Sequence, residues 1–413
     1  MSALTGIRVI ELASERCAFA GKLLADMGAD VILVEPPGGD TSRSYPPFLE
    51  DQPGPDRSLY WWHYNTSKRG IVLDLEREEA QAAFRRLAET ADVLVESEPI
   101  GRLERLDLDY PQLSTRRPEL IHASITPFGR ENSRREELAT DLTILAGGGP
   151  VWSCGYDDHS IPPIRGGGNQ GYQTACHYAV MSVLTALLHR GAGGDGQFID
   201  VSQHAAANVT TEMSSYHWLV DQSVVQRQTG RHAMPIMTMP VQMACADGRY
   251  VCGGVPPRTP EGFGQLLGWL RDVGLEAALP EAIFLQRATE RESIDFFQIG
   301  VDDEVTAIFS AAREALALLA SHLDAQSFFQ GAQKAGVTAG VIYSPEEAYE
   351  DPHFVDRGFQ VEVEHPELGR SIRYPGAPYK LPASPWAIHR RAPRLNEHAE
   401  EVWKEIGVSP TGQ

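Results

Sequence analysis

The segment IRVIELASERCAFAGKLLADMGADVILVE, residues 7–35, decides the fold class of this chain. Two runs rich in branched apolar residues, Ile7–Leu12 and Val31–Val34, are typical of buried β-strands. Between them, Cys17–Met27 carries apolar residues at helical spacing, and Gly28 follows as a helix-ending glycine. A strand, a helix and a second strand this close together form a βαβ unit, whose strands run parallel. We therefore expect an α/β fold built on a parallel sheet.

The same alternation continues downstream of this unit. Strands are predicted at Ile71–Leu75, Val93–Glu96, Leu120–Ser124 and Gln197–Val201, with helical segments between them. From Met234 the chain changes in character, because a segment rich in methionine and proline leads into amphipathic helices. This change predicts a second, smaller domain. No GxGxxG motif follows the first strand, which argues against a dinucleotide site.

The bulk composition is that of an ordinary globular protein, with 42% hydrophobic and 22% charged residues among 413. The formal net charge of −20 argues against general binding to nucleic acid or anionic membranes. The longest apolar run, Ala175–Leu188, is too short and too polar to span a membrane. The amino terminus lacks a signal-peptide pattern, and the five cysteines form no CxxC pair. These features predict a cytoplasmic protein with reduced thiols, no bound metal and no permanently bound cofactor.

A glycine-rich loop leads into a long apolar helix in PPIRGGGNQGYQTACHYAVMSVLTA, residues 162–186. The unpaired N–H groups and the dipole at the start of such a helix favour a negative charge. A nucleophilic carboxylate or an anionic intermediate would suit this position. The first helical turn carries Tyr172 instead, and no Asp or Glu occurs between Ser160 and Gly194.

Four basic residues lie in predicted loops, namely Arg43, Lys68, Arg69 and Arg105. Together they could bind phosphate groups, provided that their loops share one edge of the sheet. Taken singly, each is explained better as a solvated surface charge. The phosphate-site hypothesis therefore depends on where the fold places these loops.

Two acidic features also have alternative interpretations. The turn Asp157-Asp158-His159 could perform acid–base chemistry or hold a metal, but a polar turn explains it more simply. Asp141 precedes an apolar helix, and we expect it to cap that helix or to favour its dipole.

Several blocks of the sequence resemble the family III CoA-transferases, the group of formyl-CoA transferase and carnitine CoA-transferase. In family order, the blocks are GIRVIELASERCAFAGKLLADMGADVILVEPPGGDTSR, NTSKRGIVLDL, ADVLVESEPIGRLERLDLDY, LIHASITPFG, PPIRGGGNQGYQTACHYAVMSVLTALLHR, GQFIDVS and EHPELG with YPGAPYKL and APRLNEHAEEV. The likeness covers nearly the whole chain.

The resemblance implies a large Rossmann-like α/β domain with a parallel sheet, built from both ends of the chain, and a smaller inserted α+β domain. The expected boundaries are 1–205 for the first part of the large domain, 206–235 for a linker helix, 236–340 for the small domain, and 341–413 for a linker and the return to the large domain. It also implies an interlocked dimer, in which each subunit threads the other.

The resemblance further implies roles for individual residues. Coenzyme A thioesters are the family's substrates, and the residues matching its CoA-binding positions are Arg43, Asn65, Lys68, Arg69 and Arg105. The family nucleophile is an aspartate that takes up the acyl group, and Tyr172 occupies its position. A phenol with a pKa near 10 is poorly suited to forming the mixed anhydride that a carboxylate forms.

Three other positions depart from the family pattern. A family glycine is Cys176 here, and an Asn-Phe pair near CoA is Ser97-Glu98, where a glutamate would repel phosphate. The related racemases use a His–Asp pair, and the matching positions here are Thr140 and Tyr172. The chain therefore lacks both the nucleophilic aspartate of the transferases and the His–Asp pair of the racemases.

Within the family, the chain looks most like the subunit of succinyl-CoA:benzylsuccinate CoA-transferase that lacks the catalytic aspartate. This implies a non-catalytic subunit paired with a catalytic paralogue, in an enzyme that moves CoA from succinyl-CoA to an aryl-substituted succinate during anaerobic toluene degradation. One alternative is a stand-alone acyl-CoA lyase, isomerase or transferase that uses Tyr172 or the Asp157-Asp158-His159 turn. Another is a CoA-binding pseudoenzyme.

Overall fold

A computed structural model of the chain describes residues 2–408. The strands are β1 (Arg8–Leu12), β2 (Asp30–Glu35), β3 (Arg69–Val72), β4 (Val93–Glu96), β5 (Ile121–Thr126), β6 (Phe198–Ser202), β7 (Gln226–Gln228), β8 (Arg231–Met234), β9 (Gln242–Ala244), β10 (Tyr250–Cys252), β11 (Gly340–Val341), β12 (Gln360–His365) and β13 (Arg370–Pro375). The helices are α1 (Ala18–Asp26), α2 (Leu59–Tyr64), α3 (Glu78–Ala88), α4 (Arg102–Arg105), α5 (Tyr110–Arg116), α6 (Asp141–Gly148), α7 (Gln170–Gly191), α8 (Gln203–Val209), α9 (Glu212–Tyr216), α10 (Pro260–Val273), α11 (Ala282–Thr289), α12 (Asp303–His322), α13 (Ala325–Lys334), α14 (Pro345–Tyr349), α15 (Pro352–Arg357) and α16 (Ala399–Glu405).

The chain forms two compact units. The larger unit comprises the residues up to 151, residues 165–212 and the residues from 352 onward. The smaller unit comprises residues 152–164 and 213–351.

The larger unit contains a six-stranded sheet in the order β3-β2-β1-β4-β5-β6. All five strand pairings are parallel, and Val9 of β1 pairs with Val31 of β2 on one side and Val93 of β4 on the other. Parallel strands need helical crossovers that cover the sheet. The βαβ reading of residues 7–35 and the α/β fold class are thereby confirmed.

Both faces of this sheet are covered. On one face, Val9 and its neighbours pack against α1 and α7, including Leu24 and Val183. On the other face, Ile10 and its neighbours pack against α3 and α16, including Phe84 and Trp403. Successive residues of β1 thus contribute to two separate cores, as expected for a strand that is buried on both faces.

The smaller unit is built mainly from helices. Its core is formed by α10, α11, α12 and α13, with residues such as Phe263, Leu285, Phe309 and Phe328 nearly free of solvent contact. A three-stranded antiparallel sheet, β11-β10-β9, packs against this core through Val251. The unit therefore has the mixed helix and strand content that the sequence indicated.

Unit boundaries differ from the expected ones in two places. Residues 152–164, expected within the large domain, belong to the smaller unit, as do residues 341–351 with α14. The expected linker helix at 206–235 is wrong, because this segment contains the end of α8, helix α9, a π-helical turn at His217–Asp221 and the hairpin β7–β8. Within residues 2–408, no helix combines the length and apolar character needed to cross a bilayer.

Candidate active site

The amino-terminal end of α7 forms the first part of the candidate site. Asn169 is the residue before the helix, and its side chain makes no capping hydrogen bond. The first turn carries Tyr172, whose side chain is buried in the large unit with 4% exposure. An anion is expected at this helix end from the sequence.

A carboxylate of the chain itself already occupies this helix end. Asp141 Oδ1 accepts a hydrogen bond from the Tyr172 N–H at 3.1 Å, and Asp141 Oδ2 lies 2.9 Å from Arg165 Nη1. Gly171 permits this approach, since a Cβ atom there would lie 3.0 Å from Asp141 Oδ1. The Asp141 carboxylate is thus bound to a backbone donor and a guanidinium.

Asp141 does not cap its own helix, contrary to one of the two expectations. Thr140 is the N-cap of α6 and forms a capping box with Thr143. Because the cap is supplied by Thr140, the Asp141 side chain is free to reach α7. Its charge still lies in the first turn of α6, where the helix dipole favours it.

Removal of the Asp141 carboxylate is expected to destabilise the chain measurably. Asp141→Ala leaves the Tyr172 N–H and the Arg165 guanidinium without their shared acceptor, at an expected cost of about 2 kcal/mol in the free energy of unfolding. Asp141→Asn keeps one acceptor oxygen and should cost less. Urea denaturation of the two variants checks this, and equal losses for both would contradict it.

Two tyrosines of α2 contact the start of α7, the helix that carries Tyr172. Tyr60 and Tyr64 of α2 pack with tilted rings at 4.6 Å between centroids, and their hydroxyls accept hydrogen bonds from Asn169 and Gln173 at 2.7 and 2.8 Å. These contacts fix the start of α7 against α2. No periodic pattern in the sequence predicts this pairing, because the two segments are about a hundred residues apart.

The phenol of Tyr172 is held in its neutral form. Burial raises the pKa of Tyr172, and the nearby Arg16 guanidinium opposes that rise only in part. Arg16 Nη2 donates to Ala139 O at 2.8 Å, while its buried Nε has no hydrogen-bond partner. Arg16 was not among the site residues predicted from the sequence. Its position just before α1 is the only sequence feature that could have indicated a role at this site.

Lys68 and Asn65, expected to contact CoA, lie inside the protein instead. The Lys68 side chain is fully buried, and its Nζ lies 2.9 Å from Glu11 Oε1, 2.9 Å from Asn65 Oδ1 and 2.9 Å from Ala18 O. Glu11 fits beside α1 because position 21 is a glycine. A Cβ atom at that position would lie 1.5 Å from Glu11 Oε2 and overlap it. All three donor directions of the ammonium group are therefore occupied by acceptors of this chain.

Arg43 and Arg69 have buried side chains that are also engaged in ion pairs. Arg43 lies 2.6 Å from Glu35 and 2.9 Å from Asp56, and Arg69 lies 2.7 Å from Asp30 and 2.8 Å from Glu405. Arg105 is exposed and lies 2.9 Å from Glu76.

The five residues do not share one edge of the sheet, so the condition for a common phosphate site fails. Arg69 begins β3 and pairs in register with Ile32, near the amino end of β2, whereas Arg43 follows the carboxyl end of β2. Arg105 follows the carboxyl end of β4. Opposite ends of parallel strands lie on opposite edges of a sheet, which separates Arg69 from the other two arginines.

A small cleft lies at the carboxyl ends of β1, β2 and β4, where open α/β sheets bind ligands. Its volume is about 90 Å³, and its walls include Pro36, Pro37, Leu75, Glu98 and Arg102. The Glu98 carboxylate pairs with Arg102 inside this cleft. Burial and the neighbouring Glu96 raise the pKa of Glu98, against the effect of Arg102.

Comparison with known proteins gives the family of the chain. The family model for CoA-transferase family III matches residues 4–399. This chain belongs to CoA-transferase family III. Membership assigns it to the transferases that use CoA thioesters as substrates.

Two curated family members illustrate the range of relatives. The chain is 31% identical over 400 residues to the succinyl-CoA:(R)-benzylsuccinate CoA-transferase subunit BbsE of Thauera aromatica, with 97% of this chain and 93% of that protein covered. It is 30% identical over 413 residues to succinyl-CoA:mesaconate CoA-transferase of Haloarcula hispanica, with 99% and 97% covered.

The fold has a solved counterpart in the family. A CAIB/BAIF family protein from Brucella suis superposes with a TM-score of 0.78 at 24% identity, covering 98% of this chain and 99% of that chain. The family III fold expected from the sequence blocks is therefore confirmed. An identity of 24% supports a shared fold and nothing more.

The turn Asp157-Asp158-His159 of this family III chain serves the structure of the smaller unit. Asp157 lies 3.1 Å from Arg231 and accepts the Thr229 N–H, which lowers the pKa of Asp157. Asp158 accepts hydrogen bonds from Ser160 that lower the pKa of Asp158. Carboxylates with lowered pKa values are poor general acids or bases near neutral pH. Among residues 2–408, no group of three or more His, Cys, Asp or Glu side chains is placed to hold a metal.

The buried Glu11 predicts a pH dependence of stability. Burial raises the pKa of Glu11 from 4.5 to about 7, with Lys68 acting in the opposite direction. Between these values the folded state binds more protons than the unfolded state, so the Glu11 contribution to stability falls as pH rises from 4.5 to about 7. We expect Glu11→Gln to remove this fall in urea denaturation across that range, and exposed Glu79→Gln to keep it.

Proposed function

We propose that this chain is the non-catalytic subunit of a heteromeric, cytoplasmic family III CoA-transferase. In the proposal it interlocks with a paralogous subunit that carries the nucleophilic aspartate. The pair moves CoA from succinyl-CoA to an aryl-substituted succinate, with benzylsuccinate as the first candidate. The support from relatives is the likeness to subunit BbsE, whose own name gives that reaction.

The observation that carries the proposal is the buried, neutral Tyr172 at the start of α7. In the family register this position belongs to the carboxylate that accepts the acyl group. A carboxylate displaces CoA from the thioester to form a mixed anhydride, which returning CoA thiolate converts to an enzyme thioester. A phenol with a raised pKa does not supply the required anion near neutral pH.

The neighbouring carboxylate offers no simple substitute. Asp141 is bound to the Tyr172 N–H and to Arg165, and its side chain is 8% exposed. An attack by Asp141 on an acyl-CoA would require both partners to be given up. We therefore assign the acyl transfer to the other subunit.

A stand-alone lyase or isomerase is the alternative. The groups that it would use as acid or base have unfavourable pKa values. Tyr172 has a raised pKa, and Asp157 and Asp158 have lowered ones.

The pseudoenzyme alternative is supported by the small cleft in which Glu98 pairs with Arg102. Binding of CoA, compared between this chain and its Glu98→Gln variant by calorimetry, measures whether a nucleotide site persists.

Isolation from the native source tests the proposal directly. We expect the chain to co-purify with a similar protein that carries aspartate at the position aligned with Tyr172. The purified single chain is expected to show no transfer from succinyl-CoA to benzylsuccinate, and the reconstituted pair is expected to show it. Robust transfer by the single chain would refute the subunit assignment.

A further inference from the structure

A cavity of about 550 Å³ lies in the larger unit, over the β5–β6 edge of the sheet. Its floor includes His122 of β5 and Phe198 of β6, and one wall is formed by Asp109 and Tyr110 at the start of α5. The residues after β5, including Arg130, form the opposite wall. The volume lies within the range of small-molecule sites. The site near Tyr172 uses none of these residues.

A buried network fixes the orientation of His122. Glu96 Oε1 lies 2.9 Å from Arg130 Nη2 and 3.3 Å from His122 Nε2. Arg130 Nε donates to Ser124 Oγ at 2.7 Å, which holds the guanidinium in place. Because the Glu96 carboxylate can only accept, the neutral imidazole of His122 carries its proton on Nε2 and presents its lone pair on Nδ1.

Two buried acceptors at this cavity lack a donor. His122 Nδ1 and Asp109 Oδ1 are both buried and have no hydrogen-bond partner in the described protein. His122 is 1% exposed, so the missing donor costs free energy unless something supplies it. Phe198 packs against His122 at 5.2 Å between ring centroids and is 36% exposed on the edge strand.

The lining also has a distinct charge and shape. Four carboxylates against two guanidinium groups line the cavity, namely Glu104, Asp109, Glu131 and Asp200 against Arg130 and Arg135. The excess of carboxylates favours a cation. Tyr110 and Phe198, 5.8 Å apart between ring centroids, offer an aromatic wall suited to a flat body.

We propose that this cavity binds a small, flat aromatic cation that donates N–H hydrogen bonds to His122 Nδ1 and Asp109 Oδ1. An amidine or a protonated heteroaromatic amine has this chemistry. The ring lies against Tyr110 and Phe198, and the positive charge offsets the surplus carboxylates. The site is independent of the proposed transferase role, since it shares no residue with the candidate active site.

Benzamidine is a suitable probe, because it is flat, cationic and rich in N–H donors. We expect calorimetry with the full-length chain to detect benzamidine binding and no binding of benzoate, which has the same ring and the opposite charge. His122→Gln keeps a donor for Glu96 but removes Nδ1, and Asp109→Asn removes the charge. Each variant is expected to weaken binding roughly tenfold, while Glu79→Gln, an exposed residue of α3, leaves it unchanged.

Histidine nitrogen NMR provides a readout that does not depend on the variants folding. The unbound chain is expected to show His122 protonated at Nε2, with the Nδ1 resonance shifting when benzamidine is added. Absence of benzamidine binding, equal binding of benzoate, or binding unaffected by both His122→Gln and Asp109→Asn would overturn the proposal. An unshifted Nδ1 resonance at saturating benzamidine would also overturn it.

Discussion

Tyr172→Phe in this chain is expected to leave the turnover of the assembled transferase within about twofold of the wild type. Asp→Asn at the aligned position of the partner is expected to lower turnover by roughly a thousandfold or more. The reason is that the proposal places the acyl-accepting carboxylate in the partner alone. Tyr172 is buried, and its aromatic ring, which phenylalanine retains, accounts for most of its packing.

Steady-state turnover of the two reconstituted variants measures this difference. Gel filtration of each complex serves as the control, because a loss of assembly would lower activity without any chemical cause. A Tyr172→Phe complex that is intact but at least tenfold slower would show that the phenol takes part in the reaction.

Lys68→Ala is expected to cause the largest loss of stability among the substitutions considered for this chain. Lys68 and Glu11 form a fully buried ion pair, so removing the ammonium group leaves the Glu11 carboxylate buried without its counter-charge. The expected cost is about 3–5 kcal/mol in the free energy of unfolding, measured by urea denaturation at pH 8, where Glu11 is ionised.

A double variant separates the charge effect from packing. Glu11→Leu combined with Lys68→Met replaces both charges by apolar groups, and buried pairs replaced in this way often lose little stability. We expect the double variant to unfold at a higher urea concentration than Lys68→Ala. A loss below about 1 kcal/mol for Lys68→Ala would contradict the structural role given to this pair.

The sheet could be predicted from the sequence because its strands are continuous apolar runs. Residues 7–35 predicted β1, α1 and β2 to within one residue at most ends, since apolar spacing and Gly28 carry that information locally. The strand predicted at Ile71–Leu75 lies at Arg69–Val72, because pairing with β2 sets the register. The ends of a strand in the sheet depend on its pairing with neighbouring strands, and the local sequence pattern does not contain that information.

The roles of the charged residues could not be predicted in the same way. Lys68 and Arg43 lie in polar segments that suggest solvent-facing loops, yet each is buried and paired with a glutamate. The one local signal was Glu11, a carboxylate inside the apolar strand RVIEL, which implies a buried cation somewhere in the fold. The identity of that cation depends on the chain path, and Lys68 is fifty-seven residues away.

The apolar spacing of Gln203–Leu219 predicts one continuous helix, and this segment shows the limit of periodicity. The structure ends α8 at Val209, inserts Thr210 and Thr211, and continues with α9 and a π-helical turn. The hydroxyls of both threonines bond to carbonyl oxygens three residues earlier, a local alternative to helix continuation. This break also lies where the chain passes from the larger unit to the smaller one.

Localisation of the covalent intermediate tests the central claim most directly. The heteromer is incubated with succinyl-CoA, quenched with hydroxylamine and digested, and the hydroxamate is located by peptide mass mapping. The proposal predicts the modification on the partner's aspartate aligned with Tyr172 and none on any peptide of this chain. A hydroxamate on Asp141 would contradict it, as would an acyl group on Tyr172 in a parallel sample quenched with acid, which leaves a phenyl ester intact.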